Sequence, residues 1–159
     1  MKLINCIFII VILFPNFLYG KTIIGKPKII DGDTIHIGSD KIRLHGIDAP
    51  ETEQICKLES QDWFCGKQST KELKRKINNR NVKCITTDID IYKRFVAICS
   101  VDNINLNKWM VENGWAIAYR YYSTDYINEE RYARKNNLGI WKSQFSKPYQ
   151  YRKQNKNAK

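Results

Sequence analysis

Asp31-Gly32-Asp33-Thr34 and, shortly after it, Arg43-Leu44-His45-Gly46-Ile47-Asp48-Ala49-Pro50-Glu51 gather carboxylates and an arginine into one turn-rich part of the chain. A second arginine arrives in Asp90-Ile91-Tyr92-Lys93-Arg94. These residue types suit phosphodiester hydrolysis. Negative charge builds on the phosphoryl oxygens as attacking and leaving oxygens line up, so catalysis is mostly positioning plus positive charge. Arg43 and Arg94 can each grip two phosphate oxygens with a planar fork that keeps its charge. Asp33 and Asp48 offer hard carboxylate oxygens, and the backbone carbonyl of Ala49 another. With water filling the remaining positions, that set suits Ca²⁺. Pro50 holds Ala49 extended and so helps present Asp48 and Glu51 on one side. Glu51, ionised at neutral pH with an ordinary pKa of about 4.3, is the candidate general base that takes or orients a water proton.

Singly, each of these residues has an ordinary explanation: a solvated Asp-Gly-Asp turn, a helix-capping glutamate, exposed strand arginines. Their joint occurrence in this order carries the weight. His36 and His45 have no assigned role.

The elements that must position these groups are short. Thr22 to Ile30 reads as a strand with a bulge or edge at Pro27. Thr34 to Ile37 and Lys41 to Ile47 form a hairpin around Gly38-Ser39-Asp40, with Ile42 and Leu44 on one face and Arg43 on the other. Val82 to Thr87 and Arg94 to Val101 form a second hairpin centred between Ile91 and Tyr92. Helices are predicted over Gly66 to Ile77, Leu106 to Asn113 (Asn105 as N-cap, Gly114 closing it) and Ile127 to Asn137. Five strands in hairpins with about three packed helices predict an α+β, mainly β protein, a five-stranded barrel of the OB type.

Residues 1–20 read as a secretory signal peptide: Lys2, an apolar run from Leu3 to Phe14, a Pro15-Asn16 break and a small residue before Lys21. Residues 21–142 form one domain, and 143–159 are expected to be a basic, disordered tail. Of 27 Lys and Arg against 16 Asp and Glu, only Lys2 leaves with the leader. The exported chain thus carries about +10, a balance that favours a polyanion as partner. Four cysteines remain, Cys56, Cys65, Cys84 and Cys99, which in an exported domain predict two disulfides with three possible connectivities. Cys56–Cys65 and Cys84–Cys99 are favoured. The second hairpin sets Asp88 opposite Phe95, Thr86 opposite Ala97 and Cys84 opposite Cys99, within disulfide reach. A zinc site is disfavoured because no Cys-x-x-Cys pair occurs.

The Asp-Gly-Asp-Thr turn, the Arg-Leu-x-Gly-Ile-Asp-Ala-Pro-Glu run and the Tyr-x-Arg hairpin resemble the signature blocks of the staphylococcal nuclease-like (thermonuclease) domain. Asn113 to Ala116 and Leu138 to Trp141 match as well, so the resemblance covers about Ile23 to Trp141. It implies a Ca²⁺-dependent OB-fold nuclease that cuts DNA and RNA and leaves 3′-phosphate ends. In that pattern Arg43, Glu51 and Arg94 look like the catalytic residues and Asp33 and Asp48 like the metal carboxylates, with Ala49 giving its carbonyl. Lys93 departs from the glycine of many members. It either strains the turn or adds a phosphate contact. Tyr119 and Tyr122 are the expected nucleotide-binding tyrosines in a segment that also holds Tyr121. The expected protein is a secreted or periplasmic monomer without stable membrane association. The alternative is an inactive OB-fold module that only binds nucleic acid, but such copies lose the arginines or the glutamate that are all present here.

Overall fold

The computed structural model describes residues 20–157, so the expected leader lies outside the described residues except for Gly20. In chain order the strands are β1 (Thr22–Gly25), β2 (Lys28–Ile29), β3 (Thr34–Ile37), β4 (Asp40–Leu44), β5 (Ile47–Asp48), β6 (Cys56–Leu58) and β7 (Gln61–Trp63). Helix α1 (Cys65–Ile77) precedes β8 (Val82–Ile89), β9 (Phe95–Val101) and β10 (Ile104–Asn105). Helix α2 (Leu106–Glu112), β11 (Ile117–Ala118), α3 (Ile127–Lys135), a 3₁₀ turn (Gly139–Lys142) and α4 (Pro148–Asn157) complete the chain.

The main sheet runs β1-β8-β9-β4-β3-β2. Only Lys26 and Pro27 separate β1 from β2, so both edges of this order belong to one kinked strand. The sheet therefore returns on itself as the expected five-stranded OB barrel. Pro27 has no amide to give to a ladder, which breaks the single strand expected over Thr22 to Ile30 into two. The parallel pairing of β4 with β9 sets Ile42 opposite Phe95 and Leu44 opposite Ala97. Alternation puts Ile35, Ile37, Ile42, Leu44, Val82, Cys84, Ala97, Cys99 and Val101 inside, closed over by Leu73 and Ile77 of α1 and Leu106, Met110 and Val111 of α2. A smaller cluster of Cys56, Cys65, Ile117 and Ile140 lies beside it.

Both expected disulfides are present, Cys56–Cys65 and Cys84–Cys99. The hairpin that carries the second has a different register at its tip. Asp88 faces Val96 rather than Phe95, and Ile89 faces Phe95, while Thr86 and Cys84 keep Ala97 and Cys99. The cause is the turn: Asp90 N donates to Arg94 O at 3.0 Å and Lys93 N to Asp90 O at 2.9 Å. This closes a three-residue loop, and a bulge between Thr86 and Asp88 absorbs the extra residue.

Two further expectations change. The strand expected to continue to Ile47 ends at Leu44. Gly46, at φ = 71°, turns the chain out, and Ile47–Asp48 pair instead with β11. The disordered tail expected over 143–159 is replaced across Pro148–Asn157 by helix α4. Pro148 supplies a ready-made first helical position, and the helix is held by docking rather than by an apolar stripe of its own.

Candidate active site

The turn at residues 31–34 is built around its own carboxylates. Asp33 N donates to Asp31 Oδ1 at 2.9 Å, and Ile30 N donates to Thr34 O at 3.0 Å. A Cβ at Gly32 would lie 2.2 Å from Ser69 Oγ and 2.7 Å from Ala49 Cβ, so glycine lets this turn press against α1 and the Asp48–Glu51 segment. Asp33 then pins that segment: its Oδ2 accepts the Ala49 amide at 2.7 Å. Its Oδ1 accepts from Thr34 Oγ1 at 3.1 Å and meets Nη1 of Arg43.

Arg43 points out of β4 away from Ile42 and Leu44, as its place in the strand requires, and its guanidinium joins the two loops. Nη2 donates to Asp48 Oδ1 at 3.1 Å and to Ile47 O at 3.2 Å. Asp48 is fully buried. A buried carboxylate needs paired cations and donors, and Asp48 has them. Besides Arg43 it receives Arg152 Nη2 on Oδ1 at 2.9 Å and the Tyr149 amide on Oδ2 at 3.0 Å. Glu51 lies at the rim, with Oε1 accepting from Arg152 Nη1 at 2.8 Å. Its backbone is set by a tight turn in which Gln54 N donates to Glu51 O at 2.7 Å.

Partial burial shifts three members of this cluster. It pushes the Asp31 carboxyl upward, against the lowering influence of Arg43 and of the hydrogen bonds from Thr34. It also lowers the proton affinity of Arg43, opposed by Asp48 and Asp31. For Arg152 burial acts in the same sense but is outweighed by Asp48 and Glu51, so its affinity for its proton is raised.

Arg94 stands apart. It makes no hydrogen bond to Asp33, Asp48 or Glu51 among the described residues. Nε donates to Asp90 Oδ2 at 2.7 Å, and the Arg94 amide donates to Asp90 Oδ1 at 3.0 Å. Its charge still acts on Asp31 and Arg43. Lys93 is exposed on the hairpin tip at φ = 60°. Tyr119 is half-buried beside Asp48, and burial followed by the Asp48 charge raises its hydroxyl pKa. Tyr122 is exposed and packs edge-on against Tyr119 with centroids 5.2 Å apart. Tyr119 also stacks on Tyr149 at 6.1 Å.

The turn and run residues Asp33, Arg43, Asp48, Ala49 and Glu51 thus form one connected constellation. Arg152 and Tyr149 belong to it and had no role in the sequence reading. Pro148 as a helix start was the one signal available, and it does not say where the helix docks. Asp33 Oδ1 and Asp48 Oδ1 share the Arg43 guanidinium, so the two carboxylates converge on a single cationic position. No three His, Cys, Asp or Glu side chains that could hold a metal gather among the described residues. A hard cation at that position would take two carboxylates, with backbone and water oxygens for the rest, a donor set that fits Ca²⁺.

The same residues figure in likeness to known proteins. The family model described as staphylococcal nuclease homologue matches residues 41–143, which include Arg43, Asp48, Glu51 and Arg94. The chain is 36% identical over 132 residues to the succinoglycan biosynthesis protein ExoI of Rhizobium meliloti, spanning 79% of this chain and 68% of that one. It is 34% identical over 137 residues to an uncharacterized endonuclease of Haemophilus influenzae, spanning 81% and 72%. With a micrococcal nuclease of Shigella flexneri it shares 30% identity over 149 residues, spanning 82% and 80%. With the match covering well over half of its length, and the barrel and Arg-Asp-Glu constellation in place beneath it, the chain belongs to the staphylococcal nuclease homologue family.

Proposed function

We propose that this protein is an exported, Ca²⁺-dependent endonuclease that hydrolyses phosphodiester bonds of DNA and RNA and leaves 3′-phosphate ends. Membership of its family, and relatives named endonuclease and micrococcal nuclease, make it a hydrolytic nuclease. The convergence of Asp33, Asp48 and Glu51 on two guanidiniums, those of Arg43 and Arg152, is the observation that carries the finer reading. The two disulfides suit an oxidising compartment. Among the described residues no helix is long and apolar enough to cross a membrane. In this reading the protein acts as a monomer, secreted or periplasmic.

Ca²⁺ held by Asp33, Asp48 and the Ala49 carbonyl would add positive charge beside the scissile phosphate. The chain's own groups do the rest. Arg43 exchanges its carboxylate partners for phosphoryl oxygens, and Arg94, presented by the Asp90 turn, takes another. Glu51 accepts or orients a proton of the water whose oxygen forms the new bond to phosphorus. The bond from phosphorus to the 5′ oxygen breaks, that oxygen takes a proton from solvent water, Glu51 returns its proton to solvent, and the phosphate stays on the 3′ side. Tyr119, Tyr122 and the Lys93 ammonium contact the flanking nucleotides.

Purified residues 21–159 should nick plasmid DNA with Ca²⁺ and not with chelator. Glu51→Gln should lower kcat by about 10²–10⁴-fold, the range for a lost general base. A folded, oxidised protein that retards DNA on a gel but never cuts it would establish the binding module instead.

A further inference from the structure

Helix α4 reaches the site from 101 residues away in sequence. Its first turn is fastened to the catalytic segment at several points. The Tyr149 amide caps Asp48 Oδ2, Tyr151 Oη donates to Glu53 O at 3.3 Å, and Gln54 Nε2 donates to Ser146 O at 2.7 Å just ahead of the helix. Pro148 is buried, and Tyr149 stacks on Tyr119. The backbone of Arg152 is therefore fixed relative to Asp48–Gln54, and its guanidinium spans both carboxylates, 2.9 Å to Asp48 and 2.8 Å to Glu51.

Glu51 has little else to hold it. Its carboxylate lies at the rim, about a third exposed. Among the described residues Arg152 is the hydrogen-bond partner of its side chain, through Oε1. Oε2 is left to face water. A planar fork that satisfies two carboxylates at once sets their mutual orientation as well as their charge, which a single point charge cannot do.

We infer that Arg152 is a positioning residue of the hydrolytic site, carried in by α4 to hold Glu51 by one oxygen while the other addresses the attacking water. The inference rests on the nuclease reading of Glu51. Arg152 acts through Glu51 and Asp48 and does not touch the reacting atoms.

The test uses residues 21–159 with Arg152→Ala and Arg152→Lys, each checked for both disulfides and a cooperative thermal transition, in plasmid or oligonucleotide cleavage with Ca²⁺. Arg152→Ala should lower kcat by about 10–100-fold, as loss of an orienting partner does, with KM within about threefold. Free guanidinium ion should restore part of that loss at concentrations that leave the wild type unchanged. Arg152→Lys should recover only part, because an ammonium cannot bridge both carboxylates. It also decides the question if the alanine variant does not fold. An unchanged kcat in folded Arg152→Lys or Arg152→Ala would overturn the inference. So would a raised kcat, which would make α4 a plug, or a change confined to KM, which would make Arg152 a substrate contact. A wild type that cuts nothing is a different result: it removes the nuclease reading, and this inference with it.

Discussion

At the tip of the β8–β9 hairpin Lys93 adopts φ = 60°, a left-handed conformation in which Cβ crowds the next carbonyl oxygen. The turn keeps it there because Asp90 accepts the amides of Tyr92 and Arg94. Burial alone would raise the Asp90 pKa, but the hydrogen bonds and charge of Arg94 outweigh it and hold the carboxyl below its ordinary value. The left-handed region costs a non-glycine residue about 1–2 kcal/mol, and glycine's extra freedom in the unfolded chain returns about 0.5–1 kcal/mol of that. Lys93→Gly should therefore raise stability by about 0.5–1 kcal/mol in urea unfolding. No gain, or a loss, would mean that the Lys93 side chain stabilises the turn by as much as its backbone strains it. The resemblance alone pointed to position 93, where many family members have glycine, and it left strain and an added phosphate contact both open. Asp33, Arg43, Asp48 and Glu51 were legible together because their geometry is local, one turn and one run only a few residues apart. Arg152 was not, because nothing in Tyr151-Arg152-Lys153 states that one of these cations reaches Asp48 and Glu51.

Elements fix what the residues cannot. The helix α1 backbone passes so close to the Glu51 turn that a Cβ on Gly66 would lie 1.7 Å from Glu51 O. In an isolated helix Gly→Ala stabilises by about 1 kcal/mol. Here the clash with backbone should reverse that sign and push Glu51 away from Arg152. Gly66→Ala is expected to lower the thermal midpoint and to lower kcat by on the order of 100-fold, the effect of a displacement of about 1 Å in a catalytic group. A variant as stable and as active as the wild type would show that α1 can slide away from the turn freely. Strand alternation and cap residues made the barrel and three helices readable from sequence. The hairpin register was readable only at the disulfide end, since the three-residue loop and its compensating bulge together add a residue that alternation does not reveal. Helix α4 escaped for another reason: its residues are polar almost all round, and it folds because the Asp48 carboxylate and the Glu53 carbonyl receive its first turn.

Over the whole molecule, a surplus of cations lies outside and a carboxylate–guanidinium cluster lies inside. Within the site Asp33 and Asp48 meet the Arg43 guanidinium shielded from solvent ions by burial, while Arg152 and Glu51 close the cluster at its part-exposed rim. Outside, the surplus of Lys and Arg, about +10 on residues 21–159, is spread over the surface in reach of a polyanion. Salt should therefore separate binding from chemistry. Each phosphate neutralised on duplex DNA releases condensed counterions, so affinity falls with salt at a slope of about −0.9 per contact. With about four contacts, kcat/KM should drop by on the order of 100-fold between 50 and 200 mM NaCl at fixed Ca²⁺. Charges that are buried are screened far less, so kcat at saturating DNA should stay within about twofold. If kcat falls in step with kcat/KM, salt is reaching the carboxylate–guanidinium cluster itself. The site would then be open to ions in solution, and the division between a screened surface and a protected centre would not hold.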